Sequence, residues 1–168
     1  VIYGRRRIGK TALINEFCKD KPTIFFSALK ATAQENLDAL SKAIGMYLNP
    51  DAGSFPVYRS FEDAFNAITE CARQDRLVFV IDEYPYLAKA DESISSRLQH
   101  IIDHLWQDSK LFLILCGSSM SFMQHQVLGY ESPLYGRRTG QFKIEPMTYR
   151  ECTVFYPQLT PSDQALLY

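Results

Sequence analysis

The chain has 168 residues, of which 46% are hydrophobic and 22% charged, a composition typical of one folded domain. Because 18 lysines and arginines balance 19 aspartates and glutamates, the formal net charge of −1 excludes a chain-wide basic surface for DNA or RNA. The four cysteines form no CxxC pair and no apolar run nears the ~20 residues of a membrane helix, so we expect a cytoplasmic protein without a disulfide framework, zinc cluster or membrane span.

Apolar periodicity and turn signals divide the chain into alternating strands and helices. In chain order we predict a strand ending at 1–3, a helix at 9–19, a strand at 23–28, helices at 33–48 and 60–73, a strand at 77–81, a helix at 92–108, a strand at 111–116, a weaker strand at 141–144 and a helical stretch at 148–156. This alternation predicts a three-layer α/β fold with right-handed crossovers. Since the sequence begins inside a strand, we expect residues before Val1 in the natural protein.

A phosphate-binding loop follows the first strand. The stretch GRRRIGKT, from Gly4 to Thr11, matches GxxxxGK[ST] in full. Four free residues let such a loop curl, so that backbone N–H groups point at phosphate oxygens and the next helix adds positive potential. Lys10 is predicted to reach the β- and γ-phosphates of ATP, and the Thr11 hydroxyl to ligate Mg²⁺. The predicted nucleotide contacts in this segment are Gly4, Ile8, Gly9, Lys10, Thr11 and Ala12.

The three arginines inside this loop, Arg5, Arg6 and Arg7, are not required by the motif, which uses only their backbone amides. Two interpretations of their side chains stay open. They form a solvated or salt-bridged loop face, as runs of like charge usually do, or they contact an adjacent domain, polyphosphate or nucleic acid. We therefore expect any nucleic-acid contact only through these arginines or through domains outside the sequence.

An acidic pair ends the strand LVFVI at 77–81. Asp82 and Glu83 follow an apolar run that is typical of a strand buried on both faces, and ligands of open α/β sheets bind where such strands end. Asp82 is predicted to hold Mg²⁺ through its water shell. Glu83 is predicted to orient or deprotonate the water that attacks the γ-phosphate.

The strand LFLILC at 111–116 ends at Gly117 and Ser118, and two interpretations of this serine stay open. Its hydroxyl contacts the γ-phosphate or the attacking water, or it caps the following helix. Farther along, Arg137 is the first choice for an arginine finger, ahead of Arg138, supplied to its own site or a neighbouring chain's. A solvated arginine is the alternative.

His100 and His104 are one helical turn apart, a spacing that can bind a metal ion. The flanking residues lack the glutamate of an HExxH site and no third ligand is evident. We therefore interpret both as exposed helix histidines. Trp106 and the aromatic residues between 55 and 65 are interpreted as core.

Four stretches in this order resemble the archaeal-type ATPase family of prokaryotes, grouped with the AAA+-related and STAND P-loop ATPases: GRRRIGKT, VFVIDEYPYL, LILCGSSMSFM and SPLYGRRTGQFKIEPM. The resemblance covers nearly the whole chain. It implies a five-stranded, mainly parallel P-loop NTPase sheet, in which the strand before Ser118 (the sensor strand) lies between the phosphate-loop strand and the strand of Asp82. It also implies Mg-ATP binding, with Glu83 as the hydrolytic glutamate.

Members of that family usually continue into a helical lid, a winged-helix module and a nuclease-like domain. The resemblance therefore implies that residues 1–147 form the ATPase core and residues 148–168 begin the lid. It implies as partners ATP and ADP and the chain's own lid and output domains, with a homo-oligomer as an open possibility.

Three functions compete at this point. The first is an ATPase that acts through Lys10, Thr11, Asp82 and Glu83. The second is a nucleotide-dependent switch, in which ATP holds one of two states and hydrolysis is slow. The third is a small-molecule or nucleotide kinase, which shares the phosphate loop but is disfavoured by the acidic pair and the sensor serine.

Overall fold

A parallel sheet forms the centre of the molecule. Within residues 1–73 and 75–167, which the computed structural model describes, the strands are β1 (Ile2–Tyr3), β2 (Thr23–Ser27), β3 (Leu77–Asp82), β4 (Leu111–Gly117) and β5 (Phe142–Lys143). Their order across the sheet is β2-β3-β4-β1-β5, and every neighbouring pair is parallel. The predicted α/β fold is confirmed, and so is the implied position of the sensor strand, β4, between β1 and β3.

Eight α-helices surround the sheet within the described residues, and some of them begin at side-chain caps. They are α1 (Lys10–Cys18), α2 (Ala33–Leu48), α3 (Phe61–Cys71), α4 (Tyr84–Ala90), α5 (Ile94–Ile101), α6 (Met120–Phe122), α7 (Tyr149–Cys152) and α8 (Pro161–Leu167). Thr32 and Glu35 form a reciprocal capping box at α2, and the Ser60 hydroxyl accepts the Asp63 N–H at α3. None of the described helices is both long and apolar enough to span a membrane.

Two helical predictions need correction. The helix expected at 92–108 is divided into α5 and a π-helical turn, Ile102–Trp106. The preceding helix, α4, was not predicted at all, although Pro85 lies in its first turn. A proline is compatible with that position because the first amides of a helix lack intrahelical acceptors.

Helices cover both faces of the sheet, as the three-layer prediction requires. Alternate residues of β3 point to opposite faces: Val78 and Val80 pack in one apolar cluster with Ile14 of α1, whereas Phe79 packs in the other with Phe65 of α3. All six residues of β3 are buried. The sheet is thereby fixed from both sides.

The buried face of α1 does not include all of its apolar residues. Ile14 and Cys18 are buried, whereas Leu13 and Phe17 are 51% and 42% exposed. Leu13 and Phe17 line an apolar cavity of about 900 Å³ beside β4 instead. The predicted helix is present, and apolar residues lie on both its buried and its exposed sides.

Trp106 is a core residue, as predicted. Its ring meets Phe65 and Phe79 edge-on, with centroids 5.7 and 6.0 Å away. Its indole N–H donates to the Thr69 hydroxyl at 2.7 Å, so the buried polar atom is satisfied. This contact joins the π-helical turn to α3.

Candidate functional site

Three strand ends meet at one edge of the sheet. The register pairs Tyr3 with Gly117 and Ile81 with Leu115, so β1, β3 and β4 finish within about one residue of the same level. The Gly4 amide donates to the Gly117 carbonyl at 3.4 Å. The segments that leave these strands, which carry the phosphate loop, the acidic pair and the sensor serine, therefore adjoin one another.

Two glycines shape the phosphate loop. A Cβ on Gly4 would collide with the Ile144 carbonyl oxygen and would lie 2.6 Å from Ile8 Cδ1, so the loop begins where β5 leaves no room for a side chain. Gly9 has a φ of 88°, in the left-handed region, and precedes α1 with open space around its Cβ position. Ala12, in the first turn of α1, is exposed beside this opening.

Lys10 is a buried cation of the loop. Its side chain is only 6% exposed, and its ammonium group donates to the Arg5 carbonyl oxygen at 2.6 Å. Lys10 forms no ion pair with any residue that the structure describes. A buried cation without a carboxylate is costly, and its position fits an anionic ligand.

A hydrogen bond between Thr11 and Asp82 joins the phosphate loop to β3. The Thr11 hydroxyl donates to Asp82 Oδ2 at 2.9 Å, across 71 residues of sequence. The other carboxylate oxygen accepts the Glu83 N–H at 2.9 Å, and Asp82 is 6% exposed. Two oxygen donors of the kind that Mg²⁺ prefers are thus in contact.

A neutral thiol lies beside Asp82. Burial raises the pKa of Cys116, and the negative charge of Asp82 raises it further. The thiol therefore stays protonated at neutral pH. It adds no second negative charge next to the carboxylate.

Glu83 is hydrogen-bonded to Ser118, the serine that follows the sensor strand β4. Its backbone is left-handed, with a φ of 52°, and it precedes α4. Glu83 Oε2 accepts the Ser118 hydroxyl at 2.9 Å and the Ser118 N–H at 3.2 Å. The helix after Ser118 begins beyond Ser119 and has no side-chain cap. The geometry thus turns the Ser118 hydroxyl toward the glutamate and not toward a helix end.

Arg6, whose role the sequence left open, and Tyr86, which was not predicted, also contact this site. The Arg6 guanidinium donates to the Tyr86 hydroxyl through Nη2 and to Ser118 Oγ through Nε, the latter at 3.3 Å. The sequence held a signal for Tyr86, because this residue lies three positions after Glu83 and therefore close to it where the helix begins. Nothing in the sequence paired it with the loop.

Arg137 lies elsewhere. Its Nε and Nη2 donate to the two carboxylate oxygens of Asp103, each at 2.7 Å. Asp103 belongs to the π-helical turn that leads to the start of β4, at the sheet edge opposite the phosphate loop. Arg138 stacks over Tyr135 at 5.5 Å. The structure therefore does not bring the expected finger to its own site, and a role in a neighbouring chain stays a prediction.

His100 and His104 are exposed, with ring centroids 4.4 Å apart. Among the described residues, no group of three or more His, Cys, Asp or Glu side chains is arranged to hold a metal ion.

Comparison with known proteins identifies the family of the chain and structures with the same fold. Residues 1–162 match the family described as an ATPase domain predominantly from Archaea. An uncharacterized protein of Methanocaldococcus jannaschii is 32% identical over 158 residues, which is 94% of this chain and 33% of the relative. A second one from the same organism is 30% identical over 91 residues, 51% of this chain and 82% of that protein.

Solved structures share the fold at low identity. A Walker-type ATPase of Pyrococcus abyssi superposes with a TM-score of 0.69 at 21% identity, covering 94% of this chain and 51% of that one. The ORC1 protein of Aeropyrum pernix, solved in complex with DNA, gives 0.60 at 17%, over 99% and 43%. The chain spans about a third of the first Methanocaldococcus relative and half of the Pyrococcus protein. Its P-loop ATPase fold and the family match over nearly its full length show that the chain belongs to the family of ATPase domains found predominantly in Archaea.

Proposed function

We propose that this domain binds Mg-ATP and hydrolyses it to ADP and phosphate. The observation that carries the proposal is the contact between Thr11 and Asp82, 2.9 Å from hydroxyl to carboxylate. It joins the phosphate loop to β3 and brings together two oxygen donors that would hold a magnesium ion. Family membership supports an ATPase-type activity.

The donor set fits magnesium. Thr11 offers a hydroxyl and Asp82 a carboxylate that is 6% exposed, and Mg²⁺ takes oxygen ligands of both kinds. When bound, the ion would neutralise negative charge on the phosphate oxygens. The two residues would hold it, and Asp82 would gain a positive partner for its buried charge.

Lys10 and the loop amides would bind the phosphates. The Lys10 ammonium group now rests on a neutral acceptor, the Arg5 carbonyl. A phosphate oxygen is a stronger acceptor because the hydrogen bond is then charge-assisted. Gly9 leaves space for its approach, since nothing lies within 4 Å of its Cβ position.

Glu83 would orient the attacking water and accept its proton. Ser118 would position the glutamate, because it donates twice to Oε2. The other carboxylate oxygen is then left to face the water. A base fixed in this way keeps its direction while phosphate is transferred.

The proposal is tested by replacing Glu83 with glutamine, which keeps the shape and removes the base. We expect Glu83→Gln to keep ATP affinity and to lose turnover by about 10²–10⁴-fold, the usual contribution of a general base. The measurement is phosphate release beside nucleotide binding, with Glu131→Gln, at an exposed glutamate, as the matched control. Unchanged turnover in Glu83→Gln would remove Glu83 from the mechanism.

A slow nucleotide switch is the second candidate, and the doubly bonded Glu83 Oε2 favours it. A glutamate bound to Ser118 must be released or turned before both of its oxygens are free. Wild-type turnover on the order of 10⁻³ s⁻¹ or slower, as in switch NTPases without activators, would favour this alternative.

We also propose that the domain serves further parts of a longer protein, with residues 148–168 as the start of a lid. The 33% coverage of the first Methanocaldococcus relative supports this view. Assembly of several copies and contact with nucleic acid through Arg5 or Arg7 are further proposals. The DNA complex of the ORC1 relative motivates the second, at a similarity that establishes the fold alone.

A further inference from the structure

Arg6 reaches from the middle of the phosphate loop to two other elements. Its Nη2 donates to the Tyr86 hydroxyl, and its guanidinium carbon lies 5.9 Å from the centre of that ring. Its Nε donates to Ser118 Oγ at 3.3 Å. Tyr86 belongs to α4, which follows the acidic pair, and Ser118 follows the sensor strand. One loop side chain therefore spans the ends of β3 and β4.

Both partners of this guanidinium are neutral hydroxyls. Within the described part of the chain Arg6 forms no ion pair, and its side chain is exposed. A guanidinium binds carboxylate or phosphate far better, because its planar donors match two anionic oxygens. The positive charge of Arg6 is thus held at the site by contacts that an anion could replace.

The position of this charge points to one end of the nucleotide. Ser118, which accepts from Arg6, also donates to Glu83 Oε2 at 2.9 Å. Glu83 and Thr11 are the residues proposed to act at the terminal phosphate and its metal ion. Arg6 is therefore one contact away from the residues at that end.

We propose that Arg6 recognises the terminal phosphate of a nucleoside triphosphate and makes the site prefer triphosphate over diphosphate. This inference rests on the proposed function of the same site. A terminal phosphate would offer Arg6 charged acceptors in place of the neutral hydroxyls of Tyr86 and Ser118. A diphosphate lacks that group and leaves Arg6 where it is.

The test compares two affinities in the same protein. Binding of Mg-ADP and of Mg-AMPPNP, an ATP analogue that is not hydrolysed, is measured by calorimetry. We expect Arg6→Ala to weaken AMPPNP by about tenfold or more while ADP affinity changes less than about twofold, since a hydrogen bond to a charged group is lost only with the triphosphate. Arg6→Lys, which keeps a point charge, is expected to restore part of the preference.

Arg5→Ala is the matched control, because it removes the same charge from the same loop and keeps the carbonyl that Lys10 uses. It is expected to leave the ratio of the two affinities unchanged. Tyr86→Phe removes the hydroxyl that Arg6 contacts but keeps the positive charge of Arg6. We therefore expect AMPPNP to bind this variant at least as well as it binds the wild type.

Two results would overturn the inference alone: equal weakening of ADP and AMPPNP in Arg6→Ala, or the same change of ratio in Arg5→Ala. Loss of AMPPNP binding in Tyr86→Phe would also contradict it, since the tyrosine contact would then be needed for the bound state. If the wild-type chain bound neither nucleotide, the proposed function would fail first and this inference with it.

Discussion

At the scale of single residues, the distinctive feature of the site is its pair of buried charged side chains, Lys10 and Asp82. Each is 6% exposed, where an ionised group is costly unless it is compensated. Asp82 has the Thr11 hydroxyl and the Glu83 N–H, whereas Lys10 has one carbonyl oxygen. Under the proposed function, the nucleotide would bring phosphate to Lys10 and a metal ion to Asp82.

Removing the Thr11 hydroxyl tests the metal half of this arrangement. We expect Thr11→Val to lose most of the gain in ATP affinity that Mg²⁺ gives the wild-type chain, about 1.5–3 kcal/mol if the hydroxyl contributes as bonds to charged groups usually do. Titrations with Mg²⁺ and with EDTA measure that gain. Thr23→Val, the same substitution on β2, is the control, and an equal loss there would contradict the assignment.

The sequence could indicate four of the candidate site residues, because each belongs to a short motif whose backbone geometry is local. These residues are Lys10, Thr11, Asp82 and Glu83. Arg6 and Tyr86 could not be paired in this way, since 80 residues separate them and their contact depends on how β1, β4 and β3 align. For the same reason, the sequence could not indicate that Arg137 lies away from its own chain's site, and a role in a neighbouring chain stays a prediction. Its position follows from Asp103, a partner that the motif does not include.

At the scale of secondary-structure elements, the end of β4 packs tightly against the start of α4. A Cβ on Gly117 would lie 2.8 Å from Pro85 Cδ and 2.6 Å from Met123 Sδ. Since Glu83 immediately precedes α4, the fit between Gly117 and Pro85 sets the distance between sensor strand and glutamate.

Gly117→Ala is therefore expected to cost about 1–3 kcal/mol of folding stability, as overpacking usually does. We also expect turnover to fall by more than the loss of folded protein explains, because α4 would carry Glu83 away from Ser118. Denaturant unfolding and phosphate release measure the two effects. Gly53→Ala, at a glycine with nothing within 4 Å of its Cβ position, should change neither. Turnover that merely tracks the folded fraction would refute the coupling.

Element type followed from the sequence wherever periodicity and caps agreed, as in α2 and α3. The helix α4 was not predicted, because a proline at residue 85 suggests a turn when only neighbouring residues are considered. In the structure Glu83 turns the chain with its left-handed backbone, and Pro85 lies in the first turn of the helix. The division of 92–108 depends on the π-helical turn that brings Trp106 onto Phe65 and Phe79, a tertiary contact without a local signal.

At the scale of the whole molecule, the strand order β2-β3-β4-β1-β5 brings distant segments together. The phosphate loop begins at residue 4, the acidic pair at residue 82, and the sensor serine is residue 118. Parallel pairing of the strands makes these distant segments neighbours at one edge of the sheet. Ligand binding should therefore tie these strand ends together and stabilise the fold globally.

Thermal unfolding with Mg-ATP tests this expectation. At a ligand concentration of a hundred times Kd, binding adds about 2.7 kcal/mol to the free energy of unfolding. For a domain of this size that corresponds to a rise in Tm of roughly 5–11 °C. Lys10→Ala should show little of this rise, and a shift of the same size in that variant would mean that nucleotide binds elsewhere.

The bond from Lys10 to the Arg5 carbonyl spans the inside of the phosphate loop. This bond supports the curled shape of the loop, so we expect the loop to act as a preorganised receptor. Association then exchanges one acceptor for another and orders few additional residues, so little conformational entropy is lost. Different nucleotides should consequently enter at similar rates, and the site should discriminate among them mainly by how long each one stays.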